Sequence, residues 1–194
     1  LMSLDSNSWN QRYLSKNTGW DIGYVSTPLK EYFDQLKNKD LRILIPGCGN
    51  SHEAEYLFSL GFQNVYVLDF SKKAINNFSS RVPGFPKDNL LCEDFFNISG
   101  NYDLIIEQTF FCAINKSKRF EYVNKIHSLL NKNGRLVGLL FNGPMNDDHP
   151  PFGGSIAEYK KLFSSLFDLK IIQFSKNSIS SRNGKELFIN FLLK

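Results

Sequence analysis

Short, unbroken apolar runs recur along this chain, separated by stretches in which apolar residues return every third or fourth position. The unbroken runs at 41–45, 65–69, 89–92, 102–106 and 135–141 read as buried strands. Residues 28–36, 52–60, 71–80, 116–130 and 155–167 carry helical spacing instead. Punctuating residues mark the boundaries. Pro28 stands near the start of the first helix, Gly61 follows the second, Ser71 is placed to cap the third, and Asn133-Gly134 closes the fourth. Two further apolar runs, 169–174 and 186–192, are predicted to close the sheet as an antiparallel pair turning at Asn183-Gly184. Residues 142–154, with three prolines and three glycines, read as a long loop. Residues 1–27 have little periodicity but hold Trp9, Tyr13, Trp20 and Tyr24.

Strands alternating with helices imply an α/β fold. Its sheet should be mostly parallel with an antiparallel C-terminal edge, helices should cover both faces, and crossovers should be right-handed. In such sheets ligands bind outside the carboxyl ends of the strands. A length of 194 residues predicts one domain spanning 1–194, large enough to bury a substantial core.

Composition narrows the partners. The net charge is only +4, and no basic stripe interleaved with aromatics is present, so nucleic acid is not an expected partner. No apolar run reaches the ~18 residues that would span a bilayer, and residues 1–10 are polar rather than signal-like. The three cysteines, Cys48, Cys92 and Cys112, form no C-x-x-C pair, which favours a reduced, cytoplasmic setting. Phenylalanine occurs 18 times, mostly as core, and it favours a pocket with flat apolar walls.

Candidate chemistry gathers at the carboxyl ends of the predicted strands. The first strand runs into Gly47-Cys48-Gly49, a tight turn that opens a helix near Ser51. The second ends in Asp69, with Phe70 after it. A carboxylate there suits the two ribose hydroxyls of an adenosine-containing cofactor, and Ser71 already supplies the cap for the next helix. After the third strand, Asp94 suits the amino group of adenine and Phe95 its flat face. Glu107 ends the fourth strand at the sheet's centre, where it could accept from an ammonium group or cap a local loop. The third glycine of a dinucleotide fingerprint is missing, which argues against a nicotinamide oxidoreductase. Cys112 lacks a His and an acid at catalytic spacing and reads as a buried thiol. His149, between Asp148 and Pro150, matches no metal-ligand spacing, so no metal is predicted; it reads as a loop residue beside the pocket.

Together these residues resemble the thiopurine methyltransferase family of S-adenosylmethionine-dependent enzymes, with the nearer likeness to plant-type thiol and halide methyltransferases. The resemblance is carried by Thr18-Gly-Trp-Asp-Ile-Gly23, Thr27-Pro-Leu29, Pro46-Gly-Cys-Gly49, Asp69, Glu93-Asp-Phe95, Phe110-Phe-Cys-Ala-Ile114, Asp148-His-Pro-Pro-Phe152 and Arg182-Asn-Gly-Lys-Glu186. It implies a Rossmann-like, seven-stranded methyltransferase sheet. It also implies S-adenosylmethionine held by the 47–49 turn, Asp69, Phe70, Asp94, Phe95 and Glu107, and covered by Trp9 and Trp20 of an N-terminal lid, 1–27. Tyr24, Phe110, Phe111, His149 and Phe152 are the residues the resemblance implies for the acceptor pocket. Plant-type enzymes tend to carry a tyrosine in the late loop, where this chain has Phe152 and no hydroxyl. The implied reaction is methyl transfer to a thiol, bisulfide or halide. A thiopurine or metalloid acceptor, and a non-catalytic nucleoside-binding domain, are the alternatives.

Overall fold

The computed structural model describes residues 4–194. The described residues form seven strands: β1 (Ile43–Pro46), β2 (Val65–Leu68), β3 (Leu90–Leu91), β4 (Tyr102–Gln108), β5 (Leu130–Phe141), β6 (Phe167–Phe174) and β7 (Glu186–Leu193). They form a single sheet in the order β3-β2-β1-β4-β5-β7-β6. The first five pair in parallel, whereas β7 pairs antiparallel with both β5 and β6. Strand order reverses between β1 and β4, and a crevice opens at the carboxyl ends of these two neighbours. The fold is the class I methyltransferase sheet that the resemblance implied.

Among the described residues six α-helices flank the sheet: α1 (Ser6–Leu14), α2 (Thr27–Asp34), α3 (His52–Ser59), α4 (Lys72–Arg81), α5 (Arg119–Leu129) and α6 (Ile156–Phe163). Strand alternation divides the core in two. Ile105 of β4 joins Leu44, Tyr122 of α5 and Phe163 of α6 on one face. Leu104 and Ile106 join Ile43, Ile45, Leu57 of α3 and Phe78 of α4 on the other. Because β1 is covered on both faces, its Ile-Leu-Ile run is apolar throughout. Ser71 caps α4 as expected, its Oγ accepting from the Ala74 N–H at 3.2 Å, a contact worth about 1 kcal/mol. Among the described residues, no helix is long and apolar enough to cross a membrane.

Three expectations need correction. The supposedly aperiodic N-terminal segment contains α1, capped by Asp5, whose Oδ1 accepts from Ser8 N–H at 2.8 Å. It docks on α4: Asn10 Oδ1 accepts from Ser71 Oγ at 2.8 Å and from the Lys73 N–H at 3.1 Å. Asn133-Gly134 does not separate helix from strand, since β5 already starts at Leu130 and carries an irregularity where its pairing with β4 shifts register. Finally, β6 and β7 are joined not by a tight turn but by residues 175–185, which include a 3-10 turn at Ser180–Arg182. That longer excursion carries Arg182 back over the carboxyl ends of the parallel strands.

Candidate active site

The turn after β1 is built for close approach. Gly47 and Gly49 both have positive φ, +57° and +53°. A Cβ on Gly47 would lie 2.1 Å from the Phe110 ring, so only glycine lets that ring pack against the turn. Asp69 ties the turn to the end of β2. Its Oδ2 accepts from the Gly49 N–H at 3.0 Å and its Oδ1 from the Ser71 N–H at 2.8 Å. Burial nonetheless pushes the Asp69 carboxyl up to about 6, because desolvation outweighs the two N–H groups.

Beside this turn lies a cavity of about 770 Å³. Gly47, Leu68, Asp69 and Phe70 form one wall, and Asp94, Phe95 and Phe96 continue it beyond β3. Thr109, Phe110 and Cys112 enter from the segment after β4, while Phe141, Pro150, Pro151 and Arg182 close the C-terminal side. Asp94 commits one carboxylate oxygen to the Phe96 N–H at 2.9 Å. Phe95 is buried against Phe110 and Tyr122 and lines the cavity.

The N-terminal aromatics cover this space. Trp20 meets Trp9 edge-on at 5.4 Å and Tyr13 at 5.7 Å, and all three line the cavity. The strap bearing Trp20 is fastened on several sides. Asp21 Oδ1 pairs with His52 Nε2 at 2.9 Å, and Asp21 Oδ2 accepts from Asn50. These bonds, that to His52 foremost, hold the Asp21 carboxyl well below the usual carboxylate range. Further along, the Ser26 N–H donates to Glu53 Oε1 at 3.1 Å.

Several expected residues stand elsewhere. Glu107 does not reach the cavity. It is fully buried, with Oε1 accepting from the Phe110 and Phe111 N–H groups, each at 2.8 Å, and Oε2 accepting from the Tyr122 hydroxyl at 2.6 Å. Desolvation pushes its carboxyl up to about 7. Phe111 is core, packed on Tyr122 and Tyr159. Phe152 is buried too, its N–H donating to the Cys112 carbonyl at 2.7 Å, and it does not line the cavity. His149 is an exposed loop residue whose ring lies 2.9 Å from the Pro150 carbonyl; its neighbours Pro150 and Pro151 are the ones at the cavity. Tyr24 is 53% exposed and, with Cys48 and Gly49, borders a small recess beside the cavity rather than the cavity itself.

One lining residue escaped the sequence reading as a site residue. Arg182 is 9% exposed, donates from Nη2 to the Trp20 carbonyl at 2.6 Å, and places its guanidinium 5.8 Å from the Phe141 ring centroid. It had appeared only within a resemblance motif. Among the described residues, no group of three or more His, Cys, Asp or Glu is placed to hold a metal ion.

The family model for thiopurine S-methyltransferase matches residues 4–188. The chain belongs to this family. It is therefore an S-adenosylmethionine-dependent methyltransferase acting on a small-molecule acceptor. Similar family members include the probable thiol methyltransferase 2 of Arabidopsis thaliana, 28% identical over 193 residues, covering 96% of this chain and 85% of that protein. Thiocyanate methyltransferase 1 of Brassica oleracea is 28% identical, covering 95% and 84%. Thiopurine S-methyltransferase of Photobacterium profundum is 24% identical, covering 82% and 83%. Among solved structures, magnesium protoporphyrin IX methyltransferase from Synechocystis PCC 6803 with bound SAM superposes with a TM-score of 0.73 at 15% identity, covering 100% of each chain. That likeness shows the fold.

Proposed function

We propose that this family member methylates a small, soft nucleophile: a thiol, bisulfide or halide. The observation that carries this reading is Arg182, a buried cation in the cavity wall among Cys112, Phe141 and the Pro150-Pro151 step. Its charge is met by Glu186 at 3.5 Å and one terminal nitrogen donates to the Trp20 carbonyl, so the planar fork is held in place to orient an anion through its remaining N–H groups. The relatives named for thiol and thiocyanate align over nearly the whole chain, which supports the same class.

Cofactor roles follow from the wall chemistry. Asp69 takes the ribose hydroxyls and Asp94 the adenine amino group, while Phe70 and Phe95 face the base and Gly47 borders the nucleoside; Cys48 and Gly49 line the small recess beside the cavity. The bound cofactor supplies an electrophilic methyl group on a sulfonium. Trp9 and Trp20 of the N-terminal lid exclude water and offer ring faces to that cationic centre. Phe110 fills the gap above Gly47 and holds the acceptor in line.

No general base is assigned. Burial pushes the Cys112 thiol up to about 12, so it stays protonated and inert, and the acceptor arrives ionised or already soft. The free thiols of Cys48, Cys92 and Cys112 suit a reduced cytoplasmic setting, and residues 1–194 act as one catalytic domain. The test is to follow S-adenosylhomocysteine formation with bisulfide, iodide, thiocyanate and an aromatic thiol offered separately. Turnover of the small anions supports the proposal. Turnover of the aromatic thiol alone replaces it with a thiopurine-type specificity.

A further inference from the structure

Charge is not spread evenly round the main cavity. Among the described residues, its acidic lining comes from the segments after β2 and β3, as Asp69, Glu93 and Asp94. Its cationic lining, Arg12, Lys118 and Arg182, comes from three other segments. The acids belong to the wall given above to the nucleoside. Of the cations, Lys118 is exposed, with Glu121 3.9 Å away. Arg182 lies deep, fixed by the Trp20 carbonyl and Glu186. Arg12 stands between these extremes, half-buried in the last turn of α1.

Aromatic rings place Arg12. Its guanidinium carbon is 5.1 Å from the Trp9 ring centroid and 5.8 Å from that of Trp20. The chain then turns back, with the Asn17 N–H donating to the Arg12 carbonyl at 2.9 Å, and Asn17 and Gly19 also line the cavity. Trp20 thus meets two guanidinium groups, Arg12 over its ring and Arg182 at its carbonyl. A guanidinium has five N–H donors, so one drawn to a ring face can keep another partner and still present donors to an anion. Because Arg12 is the more exposed of the two, an anion entering along the tryptophan pair meets it before Arg182. The sulfonium of a bound cofactor adds a third positive centre beside the same rings. An anion is the partner that relieves their mutual repulsion.

We infer that Arg12 forms an outer anion site at the Trp9-Trp20 pair, which captures a thiolate, bisulfide or halide and passes it inward to Arg182. The inference rests on the proposed anionic acceptor.

Iodide serves as both acceptor and probe, since it quenches tryptophan fluorescence on collision. Trp9 and Trp20 are the two tryptophans of the chain, so quenching reads the charge at this spot. The measurement uses protein saturated with S-adenosylhomocysteine, which allows no turnover, with iodide, neutral acrylamide and caesium compared at constant ionic strength. Arg12→Gln should lower the iodide quenching constant by about threefold or more, raise that of caesium and leave acrylamide nearly unchanged. Arg12→Lys keeps the charge and should retain most of the preference for iodide. With S-adenosylmethionine, Arg12→Gln should raise KM for the small anion by a similar factor, with kcat nearly unchanged. An unmoved iodide-to-acrylamide ratio in Arg12→Gln overturns the inference. A parallel change in all three quenchers does so too, because Arg12 would then only shield the rings. So does an unchanged KM beside a lost iodide preference, since the site would not serve the acceptor. If the unaltered protein methylates no small anion, the proposed acceptor class falls and the transfer to Arg182 with it, while the quenching ratio still decides whether Arg12 binds anions.

Discussion

The guanidinium of Arg182 donates to the backbone carbonyl of Trp20 at 2.6 Å, joining the C-terminal excursion to the N-terminal strap across the cavity. One cation thus touches both the strap over the cofactor and the proposed acceptor space. Glu186 Oε1 lies 3.5 Å from its other terminal nitrogen and keeps the charge compensated in a buried place. Lysine retains the charge but loses the planar fork that reaches both partners. Arg182→Lys should therefore raise KM for an anionic acceptor about tenfold or more, with a smaller loss in S-adenosylhomocysteine affinity. Steady-state kinetics and calorimetry on the same preparation check the split.

Asp69 performs two tasks at once. It secures the glycine turn through two backbone N–H groups, and it is proposed to take the ribose hydroxyls. Only the ionised form accepts well from all of these donors, while burial holds its carboxyl at about 6. S-adenosylhomocysteine affinity should thus be steady above neutral pH and fall as pH drops through about 6. Asp69→Asn should weaken binding about tenfold and remove that inflection. Titrations on both sides of that value decide it, and an unchanged profile in the variant takes Asp69 out of the ribose site.

Trp20 stands edge-on to both Trp9 and Tyr13, so its ring is part of the cavity wall and part of the packing that holds α1 in place. A lid acts mainly after binding, by excluding water and orienting the acceptor. Trp20→Ala should accordingly lower kcat by about tenfold or more while weakening S-adenosylhomocysteine by a smaller factor. A loss confined to thermal stability would identify Trp20 as a packing staple instead.

What was legible in the sequence was local. The Ile-Leu-Ile run of β1, the Ser71 cap and the carboxyl-end placement of Gly47, Asp69, Asp94 and Phe95 follow from short-range pattern and the geometry of parallel strands. α1 was missed because Trp9 and Tyr13 alone mark its apolar face, although Asp5 was a readable cap. The expectation that Glu107 lines the cavity failed, because its side chain turns to the α5 side of the sheet. Chemical type favoured the carboxylate, and the face it occupies is set by the two-residue period of β4, which inverts with a shift of one. Arg182 was not readable as a site residue at all, since its place depends on β7 inserting between β5 and β6 and carrying residues 175–185 to the cavity.

Glu107 gives the last prediction, because its burial couples folding to pH. Its carboxyl, ordinarily near 4.5, is pushed up to about 7 by desolvation, against the pull of Tyr122 and two backbone N–H groups. Between these values the folded protein binds a proton that the unfolded chain has released. The contribution is fully present below about 4.5 and is lost as pH rises through about 7. Asp69, also raised, adds to the decline over the lower part of this range. Glu107→Gln is permanently neutral, and its amide oxygen can still accept from the Phe110 and Phe111 N–H groups. Its stability relative to the unaltered protein should improve steadily from about pH 5 to about pH 8, by on the order of 2 kcal/mol, after any constant penalty from the Tyr122 hydroxyl. Denaturant unfolding at several pH values measures this difference directly. Parallel pH curves for the two proteins would show that Glu107 carries the same charge folded and unfolded, and that its hydrogen bonds outweigh its burial.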